Sequence, residues 1–237
     1  MNKTKIQWTE MTWNPITGCT KISDGCVNCY AARMAKRLKA MGNPRYINEF
    51  KVTAHKDLLE VPLGIKQPKM IFVNSMSDLF HEDVTDNTIV KIFQTMNRAH
   101  WHTFQVLTKR PERLLSMDQE GLLQWSPNIW MGITIESDKY VDRIDKLRDT
   151  KANIKFLSCE PLLGSLKNIN LENIDWVIVG GESGPKSREM KKEWVMEIRE
   201  LCEKSGVAFF FKQWGGTNKK KSGRLLDGKT YDSYPIK

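Results

Sequence analysis

The chain has 237 residues, 40% of them hydrophobic and 27% charged, a balance that excludes disorder and collagen-like repeats and suffices for one large α/β domain. Lysine and arginine number 37 against 28 acidic residues, a net charge of +9, which favours a polyanionic partner over an acidic one. The longest apolar runs, such as 176–179 and 209–211, fall far below the roughly 20 residues that a membrane-spanning helix needs, so no membrane association is expected.

The first residues, Met1-Asn2-Lys3-Thr4-Lys5, continue into polar and aromatic positions without an apolar leader core, and a cytoplasmic location is expected. From there short apolar or β-branched runs alternate with helical patterns. A strand is predicted around 13–17, and it feeds a loop that carries Cys19, Cys26 and Cys29. A helix over about 29–41 follows, with Ala31, Ala32, Ala35 and Leu38 as its stripe and Gly42-Asn43-Pro44 as its stop. After a poorly patterned insertion, strands are predicted at 70–74, 103–108, 128–135, 154–159, 175–179 and 207–212. Helices are predicted between them at 87–99, 111–117, 138–149 and 191–204. Strand-then-helix units of this kind imply parallel pairing with right-handed crossovers.

An open doubly wound sheet and a barrel both satisfy that order. Polar residues recur where the strands finish: Asn74-Ser75, Thr108-Lys109-Arg110, Glu136, Cys159-Glu160 and Glu182. In a barrel all those ends converge on one mouth. The expected fold is therefore α/β, a full or partial parallel (β/α) barrel of six to seven strands, TIM-barrel-like, over 1–214. The tail, 215–237, is polar and basic and reads as an appended or mobile extension.

Five cysteines, three of them within eleven positions, suit metal ligation in a reducing compartment better than a disulfide framework. A structural zinc site draws four protein ligands, commonly from paired elements. Here there is a single CxxC, and His55, His81, His100 and His102 stand at no zinc-finger spacing. Three thiolates from one loop suit a four-iron cluster with one iron open. An open coordination position is where a small molecule is bound and activated.

A strand, a three-cysteine loop, a helix and then a parallel barrel resemble the radical S-adenosylmethionine superfamily. That superfamily usually carries Cx3Cx2C where this chain has Cx6Cx2C, and its common aromatic residue before the last cysteine is Asn28 here, with Tyr30 following the cysteine. A nearer likeness is to a bacterial and phage-encoded three-cysteine-motif family of unassigned reaction. It is carried by Trp13-Asn14-Pro15-x2-Gly18-Cys19, Cys26-x2-Cys29-Tyr30-Ala31, Leu107-Thr108-Lys109-Arg110-Pro111, Glu160-Pro161-Leu162-Leu163-Gly164 and Val179-Gly180-Gly181-Glu182-Ser183-Gly184. The resemblance implies that Cys19, Cys26 and Cys29 ligate a [4Fe-4S] cluster whose open iron binds S-adenosylmethionine, that an electron donor reduces it, and that a 5'-deoxyadenosyl radical results. It places Ser75, Ser77 or Asp78, after the second strand, as acceptors for the cofactor's amino group.

Other strand ends are matched by chemistry. Lys109 or Arg110 suits the methionyl carboxylate or a substrate phosphate. Glu136 suits the ribose hydroxyls, Gly180 and Gly181 permit close backbone approach to a ligand, and Glu182 beside them suits cofactor or substrate. For Lys109 and Glu136 the plainer reading is surface charge. Cys159, at a strand end, is a candidate hydrogen donor to a substrate radical, as in the spore-photoproduct-lyase branch of the superfamily; its plainer reading, like that of Cys202, is a small buried hydrophobe.

Among eight tryptophans, Trp8, Trp13 and Trp214 are expected near the mouth, where flat aromatics beside basic residues stack on exposed bases. Trp130, Trp176 and Trp194 are expected to pack. The expected substrate is a nucleic-acid base, repaired or modified by radical chemistry after leaving its stack. The alternatives are a non-enzymatic metal-containing protein that binds nucleic acid, and a radical enzyme acting on a peptide or small metabolite.

Overall fold

The structure is a computed structural model that describes residues 1–236. Seven strands run parallel: β1 (Met11–Trp13), β2 (Met70–Val73), β3 (Thr103–Thr108), β4 (Ile129–Thr134), β5 (Ile154–Cys159), β6 (Trp176–Gly180) and β7 (Ala208–Gln213). They pair in chain order from β1 to β7, with registers such as Val73 opposite Val106, Thr134 opposite Ser158, and Cys159 opposite Val179. A strand order without reversal is that of a singly wound barrel, and it sets aside the doubly wound sheet. No backbone pairing joins β7 to β1 among the described residues; a two-residue strand, Asn2–Lys3, lies antiparallel on the free edge of β1. The barrel is therefore partial.

Five helices supply the outer layer: α1 (Tyr30–Ala40), α2 (Asp86–Arg98), α3 (Pro111–Gln119), α4 (Asp142–Arg148) and α5 (Lys192–Ser205). α2 shows why its sequence folds this way. Thr85 caps it, accepting from the Thr88 backbone N–H, and Ile89, Ile92, Phe93 and Met96 fall on the one buried stripe. No helix among the described residues is long and apolar enough to cross a membrane.

Alternation along each strand separates two cores. Outward positions such as Ile71, Val73, Val106, Ile133, Leu157, Val177, Val179 and Phe211 join the helices in one cluster. Inward positions Phe72, Trp130, Phe156, Trp176, Ile178 and Phe210 join Trp8 in a second cluster that fills the lumen. Trp176 is its hub, edge-on to Trp8, Trp130 and Phe210 at 6.0 to 6.3 Å. Edge-to-face contacts of this kind add to simple area burial.

Three expectations are corrected here. The first strand ends at Trp13, and Ile16–Thr17 leaves the barrel to pair antiparallel with Thr53–Ala54. Trp13 faces the helix layer, 1% exposed, with its indole N–H donated to the Leu58 carbonyl, and Trp8 lies at the mouth cavity as expected but is 2% exposed, so neither presents a free face to a base. Trp214 packs on Phe211 and donates to the Leu225 carbonyl. The tail is no free appendage: Leu226 is fully buried, Tyr234 packs 5.1 Å from Trp176, and the Trp176 indole donates to the Ser233 carbonyl.

Candidate metal centre

At the carboxyl ends of the strands the inward ladder changes from aromatic to polar. Two residues beyond Phe72, Leu107, Phe156 and Phe210 stand Asn74, Lys109, Ser158 and Lys212, and with the cysteine loop these line a cavity of about 630 Å³. Cys19, Cys26 and Cys29 all face it; all three are half-buried and free of disulfides. The loop is pinned at several places. Gly18 has φ +90°, and a Cβ there would stand 2.2 Å from the Lys51 carbonyl oxygen, so only glycine fits. Gly25 lies over Glu136, where a Cβ would come within 2.6 Å of the carboxylate.

Two buried carboxylates hold the loop from below. Glu136 is fully buried; it accepts from the Ser23 hydroxyl, from Lys109 Nζ at 2.6 Å and from Arg143 Nη1 at 3.1 Å. Glu182 accepts from Asn28 Nδ2 at 2.9 Å and from Arg188 Nε at 3.0 Å, and Arg188 reaches on to the Asp24 carbonyl. On the other side Arg110 donates to Thr20 at 2.8 Å and to Glu82 at 2.9 Å, with Nη1 3.9 Å from Cys19 Sγ. His81, buried, bonds the same Thr20 hydroxyl at 2.8 Å.

The electrostatics of the thiols follow. Burial pushes Cys19 up to about 12, and Asp78 and the two neighbouring thiols add to this against Arg110. Burial also raises Cys26, but Lys109, the Ser23 hydroxyl and nearby backbone N–H groups outweigh it and leave this thiol below its ordinary value. Cys19 feels both neighbouring thiols as well as Arg110, and Cys26 feels Lys109, so the loop gathers thiols whose thiolate forms a bound metal would stabilise. Among the described residues no three His, Cys, Asp or Glu side chains converge as ligands of a single ion would. The donor set, three thiolates on one loop beside an open cavity, fits an iron-sulfur cluster with room at one corner.

The remaining candidates divide. Ser75, Ser77, Asp78, Lys109, Arg110, Gly181 and Glu182 line the same cavity as the cysteines. Ser75 donates its proton to Asn14 Oδ1 and Ser77 to the Ile16 carbonyl, leaving their oxygens as acceptors. Asp78 is largely committed to structure, accepting from Thr108 Oγ1 at 2.7 Å and from the backbone N–H groups of Phe80 and Lys109 at 3.0 Å. Glu136 lies behind the loop rather than on the cavity wall, so the ribose role is withdrawn and it anchors the loop. Gly180 faces Glu160 and makes room for it.

Cys159 is corrected as well. It lies on the outward face of β5, fully buried in the helix-side cluster that also holds Cys202, whereas the inward neighbour Ser158 lines the cavity. Burial pushes its thiol well above the ordinary value. A hydrogen donor must touch the substrate, and this position lies off the cavity wall.

The sequence reading passed over Ser158, Glu160 and Lys212 as ligand-binding candidates. The signal was present: each follows an inward aromatic residue by an even number of positions.

No curated protein matches the chain. Among solved structures, spore photoproduct lyase complexed with a dinucleoside spore photoproduct aligns with a TM-score of 0.52 at 11% identity, over 86% of this chain and 63% of that one. At that identity the likeness shows the fold alone, and this chain spans less than two thirds of the enzyme's length. The family model described as "Protein of unknown function (DUF5131)" matches residues 3–235, and the chain belongs to that family.

Proposed function

We propose that the protein is a radical S-adenosylmethionine enzyme in which Cys19, Cys26 and Cys29 hold a [4Fe-4S] cluster, and that its substrate is a nucleic-acid base. The observation that carries this reading is the placement of three free thiols from one pinned loop on a cavity at the carboxyl mouth of a partial barrel. Held by those three cysteines, such a cluster would supply the electron for reductive cleavage of S-adenosylmethionine.

The chain's own residues do the rest. Ser75 and Ser77 offer oxygen acceptors for an ammonium group beside the loop. Lys109, held by Glu136, and Arg110, held by Glu82, bring positive charge to the cysteines without leaving the wall. The lumen beneath is closed by Trp8, Phe72, Phe156 and Trp176, which keeps bulk water from below the site. Lys5, Lys21 and Arg33 lie on the N-terminal segment, the cysteine loop and α1, and Lys5 and Arg33 line the cavity, where they suit backbone phosphates. The dinucleoside ligand of the similar fold supports the substrate class.

The test is anaerobic reconstitution with iron and sulfide, then reduction in the presence of S-adenosylmethionine. Release of 5'-deoxyadenosine and methionine is the expected result. A sample that binds nucleic acid but leaves the sulfonium intact assigns the chain instead to the metal-containing binding proteins.

A further inference from the structure

Glu160 follows β5 and Lys212 lies near the end of β7, so the two flank β6 at the mouth. Their side chains form an ion pair, Lys212 Nζ to Glu160 Oε1, at 2.7 Å. They are 20% and 13% exposed, and both line the cavity of the three cysteines. The carboxylate is fixed from behind: Oε2 accepts from the Trp8 indole N–H and the Ser158 hydroxyl, each at 3.2 Å. Trp8 and Ser158 are themselves 2% and 0% exposed. Gly180 leaves the space that Glu160 fills, since a Cβ there would stand 2.8 Å from Oε1.

A partly buried ion pair is poor evidence of stabilisation, because desolvation offsets most of its attraction. This one takes no part in pinning the cysteine loop. What it offers is unused capacity: an ammonium has three donors, and of the two lone pairs on each carboxylate oxygen those of Oε2 are taken by Trp8 and Ser158 while Oε1 keeps one beyond Lys212. A donor and an acceptor therefore stand side by side, both charged, on the wall of a cavity whose neighbouring surface is Phe72 and Leu107.

We infer that the Glu160–Lys212 pair reads a lactam edge, a ring carbonyl beside a ring N–H, and that it takes a guanine, uracil or thymine base of a nucleic acid. The inference rests on the nucleic-acid reading above and names the class of base. Lys212 donates to the carbonyl and Glu160 accepts from the ring N–H, so both bonds are charge-assisted. The apolar wall takes the face of the ring. Adenine and cytosine lack the carbonyl-beside-N–H edge, and a methyl on the ring nitrogen removes it from the others.

The test uses the purified full chain and five dinucleotides, UpU, GpG, ApA, CpC and UpU methylated at N3 of both bases, with binding followed by saturation-transfer NMR and calorimetry. UpU or GpG is expected to bind at least about tenfold more tightly than ApA, CpC and the methylated UpU, a difference near 1.4 kcal/mol. Glu160→Gln and Lys212→Met are each expected to abolish that preference while keeping the wild-type circular dichroism spectrum. A third variant, Ser158→Ala, which loosens the carboxylate without removing either charge, is expected to weaken the preference only in part.

Equal binding of all five, no binding, or a preference that survives both charge-removing variants overturns the inference. Uridine alone binding as tightly as UpU overturns its nucleic-acid part. Iron loading and sulfonium cleavage are measured on the same preparation. A sample that performs both yet shows no base preference removes this inference alone, and a preference in a sample that binds no iron supports it while removing the radical reading.

Discussion

Glu182 ties the third cysteine's neighbourhood to β6, and its ionisation is tied to the fold. Burial raises its carboxyl, but the hydrogen bonds from Arg188 and Asn28 outweigh that and hold it down at about 2 against an ordinary 4.5. A carboxyl whose folded value is depressed stabilises the fold above its unfolded value and loses that contribution as pH falls through the window between the two. Urea denaturation stepped from pH 5 to pH 2 is therefore expected to show a shallower loss of stability for Glu182→Gln than for the native chain. At pH 7 the variant is expected to be the weaker of the two. Cys159→Ala is expected to cost about 1 kcal/mol from the small space it leaves in the outer core, with iron content and the product formed from a nucleic-acid substrate unchanged; an altered product in a folded, iron-replete variant would return the thiol to the chemistry. At this scale the gathering of Cys19, Cys26 and Cys29 on one cavity was legible, because the three stand within eleven positions of one another. The orientation of Cys159 was not, because a strand end exposes both faces and only the register with β6 shows which one the thiol takes. Glu136 misled for a similar reason: its position after β4 was read correctly, but the arginine that buries it, Arg143, comes from the following helix.

The cysteine loop is held by elements distant in sequence, and substitutions at those points are expected to act on the loop before the barrel. Gly18→Ala forces a side chain into both a positive φ and the Lys51 carbonyl, and a cost of about 2 kcal/mol or more is expected in denaturant titration of the metal-free chain. Glu136→Ala leaves Lys109 and Arg143 without their shared buried anion, with an expected loss of about 3 kcal/mol and a lower iron content. Iron content equal to the native chain in that variant would show that the loop needs no anchor from β4. The helices and most strands were legible from periodicity because each has a single buried stripe or a run of apolar residues. The short antiparallel pair of Ile16–Thr17 with Thr53–Ala54 was not, since two-residue strands carry no period and the partner lies in the unpatterned insertion.

Across the whole molecule, β1 to β7 curl around an aromatic plug to which both ends of the chain contribute. Trp8 enters from the N-terminal segment and Tyr234 from the tail, and both reach Trp176. Cutting the chain after residue 216 removes Leu226, Tyr231 and Tyr234 from their packing and is expected to cost roughly 3 kcal/mol or more, measured as a lower denaturation midpoint; an unchanged midpoint would make the tail dispensable. The barrel was legible because strand-helix alternation and polar strand ends point to a common mouth. The tail was not, because its basic residues dominate its composition while four apolar positions, Leu226, Tyr231, Tyr234 and their neighbour Leu225, do the docking or sit beside it. The net charge of +9 spoke for a polyanionic partner, but charge alone named no site for it.

The most direct measurement is an iron and acid-labile sulfide count on anaerobically reconstituted protein, taken beside the variant in which Cys19, Cys26 and Cys29 are all alanine. The native chain is expected to hold about four irons and as many sulfides, with a reduced-state electron paramagnetic resonance signal that changes on adding S-adenosylmethionine, and the variant to hold almost none. Fewer than about three irons in the native chain, or equal iron in the two proteins, would contradict the assignment of the loop as a cluster site.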